Sequence, residues 1–211
     1  MMNLQSYIKS YKEDLPFTLT QQLSYEFCGI RIAVDVYTYK SIRTYREFAR
    51  LHMEKGNFRY DCECIDQNDW EDFLFPITLD GQAYLLFRKT LYGFTLLDPE
   101  TLAEVCDYFP EKVLGGDESF IITSAATFGK YLIFDGCYWG SPYQFFAYDH
   151  VQKQFVNLSK AYGILAGDYP AKVDDSTLTL KGDSMDYAPM EVTITEPDLD
   201  RLMIEQGTTD F

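Results

Sequence analysis

The sequence predicts a mainly β (α+β) chain: an antiparallel meander with two propeller-blade-like repeats, helices at the N-terminus and a short C-terminal helix. A β-sandwich or open barrel is the alternative. Three observations point there. Of 211 residues 46% are apolar and 17% aromatic, including 17 Tyr and 16 Phe, enough apolar surface to offset the entropy of folding. Several segments alternate apolar and polar residues with period two. Two stretches also repeat one another at a blade-like spacing.

Taken in order, Leu4, Tyr7, Ile8, Tyr11 and Leu15 recur at helical spacing, with Asn3 as N-cap and Pro16 as stop. Ile30, Ile32, Val34 and Val36 then alternate with Arg31, Ala33, Asp35 and Tyr37, a strand with one buried face. Phe17–Leu19 and Tyr25–Cys28 read as shorter partners. A second helix is expected from Ser41 to Glu54, with Ile42, Tyr45, Phe48, Ala49 and His52 on one side and Gly56 as stop. It would carry Arg43, Arg46 and Arg50 on its opposite side, either a solvated face or a docking stripe for the acidic remainder or a second subunit. A short strand, Phe58–Ile65, leads into an acidic loop, six of the twelve residues Asp61–Asp72 being Asp or Glu.

The repeat follows. Its first copy holds Asp80-Gly81, Tyr84–Phe87 and Phe94–Pro99; its second holds Phe128-Gly129, Tyr131–Phe134 and Phe145–Asp149. Tyr84 to Tyr131 is 47 positions and Asp98 to Asp149 is 51, the difference assigned to a longer loop in the second copy. Each copy closes on a further apolar strand, Leu102–Cys106 and Gln154–Leu158. A four-stranded meander of this size cannot bury both faces alone, so such units stack. Further strands are expected at Ala171–Val173, Thr177–Leu180 and Met190–Thr195. A helix capped by Thr195, with Pro197 in its first turn and Gly207 as stop, closes the chain. No Pro/Ser/Gly-rich linker marks a boundary, so residues 1–211 read as one domain, subdivided if at all into 1–60 and an acidic β-repeat part, 61–211.

Catalytic signatures are sparse. The two histidines, His52 and His150, read as a structural histidine and a turn residue beside Asp149. There is no G-x-S-x-G elbow and no phosphate-cradling glycine loop. Cys62-x-Cys64 would set two thiols on one strand face without the second pair a zinc site needs. The stretch from Asp66 departs from a calcium loop at Glu71 and Ile77. No metal and no cofactor are therefore expected. Five cysteines, odd in number and scattered, argue for a reducing cytoplasm.

Charge narrows the partners. The chain carries 18 Lys and Arg against 33 Asp and Glu, a net −15, which disfavours nucleic acid as partner. No apolar stretch is long enough to span a bilayer, so no membrane role is expected. Residues 1–60 hold nine basic and six acidic residues, and residues 61–211 hold nine and twenty-seven. The segment Asp135–Tyr143 combines glycines, a proline and the aromatics Tyr138, Trp139 and Tyr143 in an expected loop; with Cys137 these form a candidate interaction loop. Together with Tyr131–Phe134 and the Tyr148-Asp149 turn, it resembles a blade of small uncharacterised bacterial β-meander proteins, over about residues 119–160. Some of those are thought to act as partners or antidotes, and the resemblance implies a β-meander and no catalytic motif. The expected function is a non-enzymatic cytoplasmic interaction module binding a basic protein partner, of immunity or inhibitor type. The alternative is a carboxylate-dependent hydrolase acting on carbohydrate, with Trp139 or Trp70 as stacking platform.

Overall fold

The computed structural model of the chain describes residues 3–65, 74–110, 120–138, 142–166, 171–174 and 176–208. After helix α1 (Leu4–Lys12), capped by the Asn3 side chain accepting from the Ser6 amide at 2.9 Å, the chain forms one β-sheet after another. The first is a meander of β1 (Thr18–Phe27), β2 (Ile30–Lys40), β3 (Tyr45–Lys55) and β4 (Phe58–Ile65), neighbours in sequence pairing antiparallel. The two segments expected beside β2 are one continuous strand, β1, with a bulge between Leu19 and Gln21.

The expected second helix, Ser41–Glu54, is not a helix. Residues 45–55 are the strand β3, paired on both sides with β2 and β4. The helical reading rested on Ile42, Tyr45, Phe48, Ala49 and His52. The interior instead takes Ala49, Leu51 and Met53, all fully buried, which is period two. The intervening charges meet partners across the sheet: Arg50 opposes Asp35 and Glu63, and Glu54 opposes Arg31 and Arg59. Among the described residues one helix, not two, therefore stands at the N-terminus.

The second sheet is β5 (Phe75–Leu79), β6 (Gln82–Phe87), β7 (Phe94–Leu97) and β8 (Glu104–Tyr108), and the third is β9 (Phe120–Phe128), β10 (Tyr131–Tyr138), β11 (Gln144–Asp149) and β12 (Gln154–Asn157). These two sheets are the sequence repeat. Their third and fourth strands are joined by the same turn. The Asp98 carboxylate accepts from the amides of Glu100 and Thr101, and the Asp149 carboxylate from those of Val151 and Gln152. In each the residue four further on, Leu102 or Lys153, is left-handed at φ 55° or 56° and donates to the aspartate's own carbonyl. The longer second copy comes from longer strands: β10 runs on to Tyr138, so Asp135–Tyr138, expected in a loop, are strand.

The fourth sheet follows α2 (Leu158–Tyr162) and has the order β13 (Ile164–Ala166), β15 (Thr177–Ser184), β14 (Lys172–Asp174), with β16 (Pro189–Ile194) also pairing β15. Helix α3 (Glu196–Gln206) ends at Gly207 as the sequence implies. The Thr195 amide and hydroxyl both donate to the Asp198 carboxylate, at 3.1 and 2.6 Å.

The chain divides into two compact units, residues 1–77 with 83–111 and residues 78–82 with 112–211. In the first, Ile30, Ile32, Val34, Leu51 and Met53 pack with Leu85, Phe87, Leu97 and Leu102, burying the first sheet against the second. In the second, Tyr131, Ile133, Phe145 and Val156 of the third sheet pack with Leu178, Leu180 and Ile194 of the fourth and with Leu199, Leu202 and Met203 of α3. Each sheet hides one apolar face against another element.

Candidate functional site

Within the second unit, a cleft of about 670 Å³ is lined by Phe128 and Gly129 of the β9–β10 turn, Val173 and Asp174 of β14, Ser176, and Glu196 and Pro197 of the first turn of α3. Local sequence explains the shape. Gly129 turns the hairpin at φ 56°, and a Cβ there would stand 2.5 Å from the Glu196 carboxylate, so glycine lets that carboxylate sit over the turn. Glu196 also lies where the helix dipole favours negative charge. Asp174 pairs with exposed Lys172 at 3.3 Å. The cleft offers two carboxylates over apolar walls of Phe128, Val173 and Pro197. Such a lining suits a cation on an apolar stem, as Lys and Arg side chains are built.

Within the first unit, a groove of about 640 Å³ runs along β4 beside the start of α1, with Arg50, His52, Tyr60, Cys62, Glu63, Lys89, Glu104 and Asp107 among its lining residues. Its carboxylates outnumber its cations but are each held in an ion pair. The nearly buried Lys89 ammonium lies 2.9 Å from both Glu104 and Asp107. The Tyr60 hydroxyl donates to Glu104 at 2.7 Å and the Thr95 hydroxyl to Asp107 at 2.7 Å. Burial alone would push the Glu104 carboxyl up, but Lys89 and Tyr60 hold it below the ordinary range. Burial, the nearby Cys62 and Glu104 push the Tyr60 phenol up. His52 meets Asp61 at 2.5 Å, and Asp61 is held low by Arg59 and by His52. Cys62 and Cys64 share a strand face as their spacing implies, sulfurs 3.8 Å apart, and the bond with Cys62, together with burial, raises the Cys64 thiol.

Of the candidate interaction loop, Cys137 and Tyr138 lie in β10 and Tyr143 stands just before β11. Cys137 sits half-buried in β10 opposite Ile121, and Tyr143 is exposed. Cys137 nonetheless lies close enough to push the Tyr143 phenol up, with burial and Asp135 adding to it. The Tyr143 carbonyl accepts from the Ala166 amide at 2.9 Å, tying this end of β11 to β13. Tyr138 closes β10; Trp139, like Trp70 and the acidic residues Asp66–Asp72, lies outside the described residues.

The arginines do not form a helical stripe. Arg43 is in the exposed β2–β3 turn, where its amide donates to the Ser41 hydroxyl. Arg46 and Arg50 share one face of β3. Arg46 lies over the Tyr11 ring and donates to the Tyr11 carbonyl, clamping the end of α1. Arg50 lies over Tyr37 and pairs with Glu63 at 3.4 Å. The cleft at Asp174 and Glu196 and the Lys89 network had no sequence signal, because each joins strands far apart in the chain.

No family model matches the chain, and no curated protein sequence does. Two solved structures share features with it. One is the GH43 endo-arabinanase from Bacillus licheniformis, 14% identical over 88% of this chain and 77% of that one, with a TM-score of 0.30. The other is HIRA(644–1017), 8% identical over 88% of this chain and 56% of that one, with a TM-score of 0.31.

Proposed function

We propose that this chain is a non-enzymatic interaction module whose acidic β-rich body binds a basic protein partner, an immunity or inhibitor role being its most specific form. One observation carries the reading. The second unit holds seven Lys and Arg against sixteen Asp and Glu, and its cleft presents Asp174 and Glu196 over an apolar floor. Complementary charge of this kind speeds encounter and makes binding salt-dependent. Tyr143, exposed on the same unit, supplies a rigid aromatic contact. All five cysteines stand outside any disulfide, which suits a reducing compartment, the cytoplasm. No helix among the described residues is long and apolar enough to cross a membrane.

The alternative, a hydrolase using paired carboxylates, has its best candidates in Glu104 and Asp107. A general acid needs a raised pKa, and Glu104 is held low by Lys89 and Tyr60. That arrangement favours charge pairing over proton transfer.

The test is calorimetric titration with hexa-arginine, with hexa-glutamate as control, on the native chain and on Asp174→Asn and Glu196→Gln. Hexa-arginine should bind at low salt and weaken as salt rises, and each substitution should weaken it several-fold. Equal response to both peptides, or binding untouched by both substitutions, would overturn the reading.

A further inference from the structure

The two edges of the first sheet are built differently. β4 carries Arg59, Asp61 and Glu63, and its last amide, Ile65, already donates to the Lys89 carbonyl. At the other edge β1, among the described residues, pairs with β2 alone. Seven of its ten side chains are exposed, its only charge is Glu26, and it contains neither proline nor lysine. Edge strands are ordinarily blunted by shortness, proline or charge, because their free amides and carbonyls template further pairing. The other edges show such devices: β5 contains Pro76, β8 carries Glu104 and Asp107, and β12 has four residues with Phe155 bridged to Thr208. β9 is uncharged but has two exposed side chains in nine. β1, with one carboxylate and one bulge between Leu19 and Gln21, is the longest and most exposed of these edges.

We propose that β1 is a self-association edge, pairing antiparallel with β1 of a second copy about a two-fold axis. A row of backbone donors and acceptors is matched by another strand, and charge selects which strand. A chain of net −15 repels its own copies, so copies approach at lowest cost where carboxylates are absent. Pairing centred on Gln22 runs Glu26 alongside the uncharged N-terminal end of β1 in the partner subunit, beyond the bulge at Thr20. No like charges then face each other. The half-covered Leu23, Tyr25 and Phe27, packed at the margin of the first unit's core, gain cover from the added strand. This pairing is independent of the basic-partner reading and responds oppositely to salt: screening the net charge strengthens it.

Sedimentation velocity on the full chain, over a concentration series at low and moderate salt, should show a monomer–dimer equilibrium that tightens with salt. Amide exchange in residues 18–27 should slow as concentration rises. Lysines at three exposed positions, Leu19→Lys with Gln21→Lys and Ser24→Lys, should weaken association at least tenfold although they reduce the net negative charge. The corresponding triple glutamate variant should be monomeric, and mixing the two variants should restore pairing. A wild type monomeric throughout, exchange in 18–27 indifferent to concentration, or a lysine variant that still dimerises would overturn the proposal. Thermal melts of the variants check that folding is intact, and the wild-type exchange measurement decides the matter if a variant does not fold.

Discussion

Gly136 shows how much one position can depend on the absence of a side chain. A Cβ there would lie 2.0 Å from the Ile121 carbonyl oxygen and 2.7 Å from the Phe120 ring, where the β9–β10 register shifts. Its backbone neighbour cannot swing away as a flexible side chain could, so Gly136→Ala should cost about 3 kcal/mol by overpacking. Gly163→Ala, with open space around it and φ 67°, should cost only about 1 kcal/mol of left-handed strain. Urea denaturation followed by circular dichroism separates the two. Lys89 is the opposite case, a group whose presence is required. Lys89→Met leaves Glu104 and Asp107 facing one another without their cation, and because both are partly solvated the expected loss is about 2 kcal/mol. The pH dependence follows in sign. Glu104 is held below its ordinary 4.5, so its contribution is present above that pH and is lost as pH falls through the lower folded value. Asp200, held low by Tyr131 and Lys130, acts in the same direction. Acid melts should therefore show stability falling below about pH 4.5, with a shallower fall in Lys89→Met.

Among the elements, the most informative are the paired turns at Asp98 and Asp149. The repeat was legible in the sequence because these turns demand the same residue at the same place: an aspartate whose carboxylate caps two following amides. Asp149 does more, since its fully buried side chain also lies 3.1 Å from Lys130, which reaches Asp200 of α3 at 2.9 Å. Asp149→Ala should thus destabilise by about 3 kcal/mol and Asp98→Ala by about 1 kcal/mol, both read by urea denaturation. Helix ends were legible for a similar reason, Asn3 and Thr195 being local signals of local structure. β3 was not legible as a strand. Its apolar residues fit spacings of three and four as readily as two, and what decides is pairing with β2 and β4, which no window of sequence displays. The cleft was hidden likewise: Gly129, Asp174 and Glu196 read as a turn, a strand end and a helix start, and only the fold brings them together.

For the molecule as a whole, the charge divides unequally between the two units. The first holds eleven basic and seventeen acidic residues, the second seven and sixteen. Arg46 and Arg50 are consumed inside the first unit by Tyr11, Tyr37 and Glu63. The first unit's groove carboxylates are likewise paired, with Lys89, Arg50 and Arg59, whereas in the second unit's cleft exposed Lys172 meets Asp174 and Glu196 adds a second carboxylate. A basic partner should therefore be held by the second unit. The decisive measurement is hydrogen exchange on the full chain with hexa-arginine added at low salt. Protection is expected at the β9–β10 turn, at 171–174 and in the first turn of α3, and should disappear at high salt. Protection confined to 58–65 and 104–108, or none at any salt concentration, would contradict it.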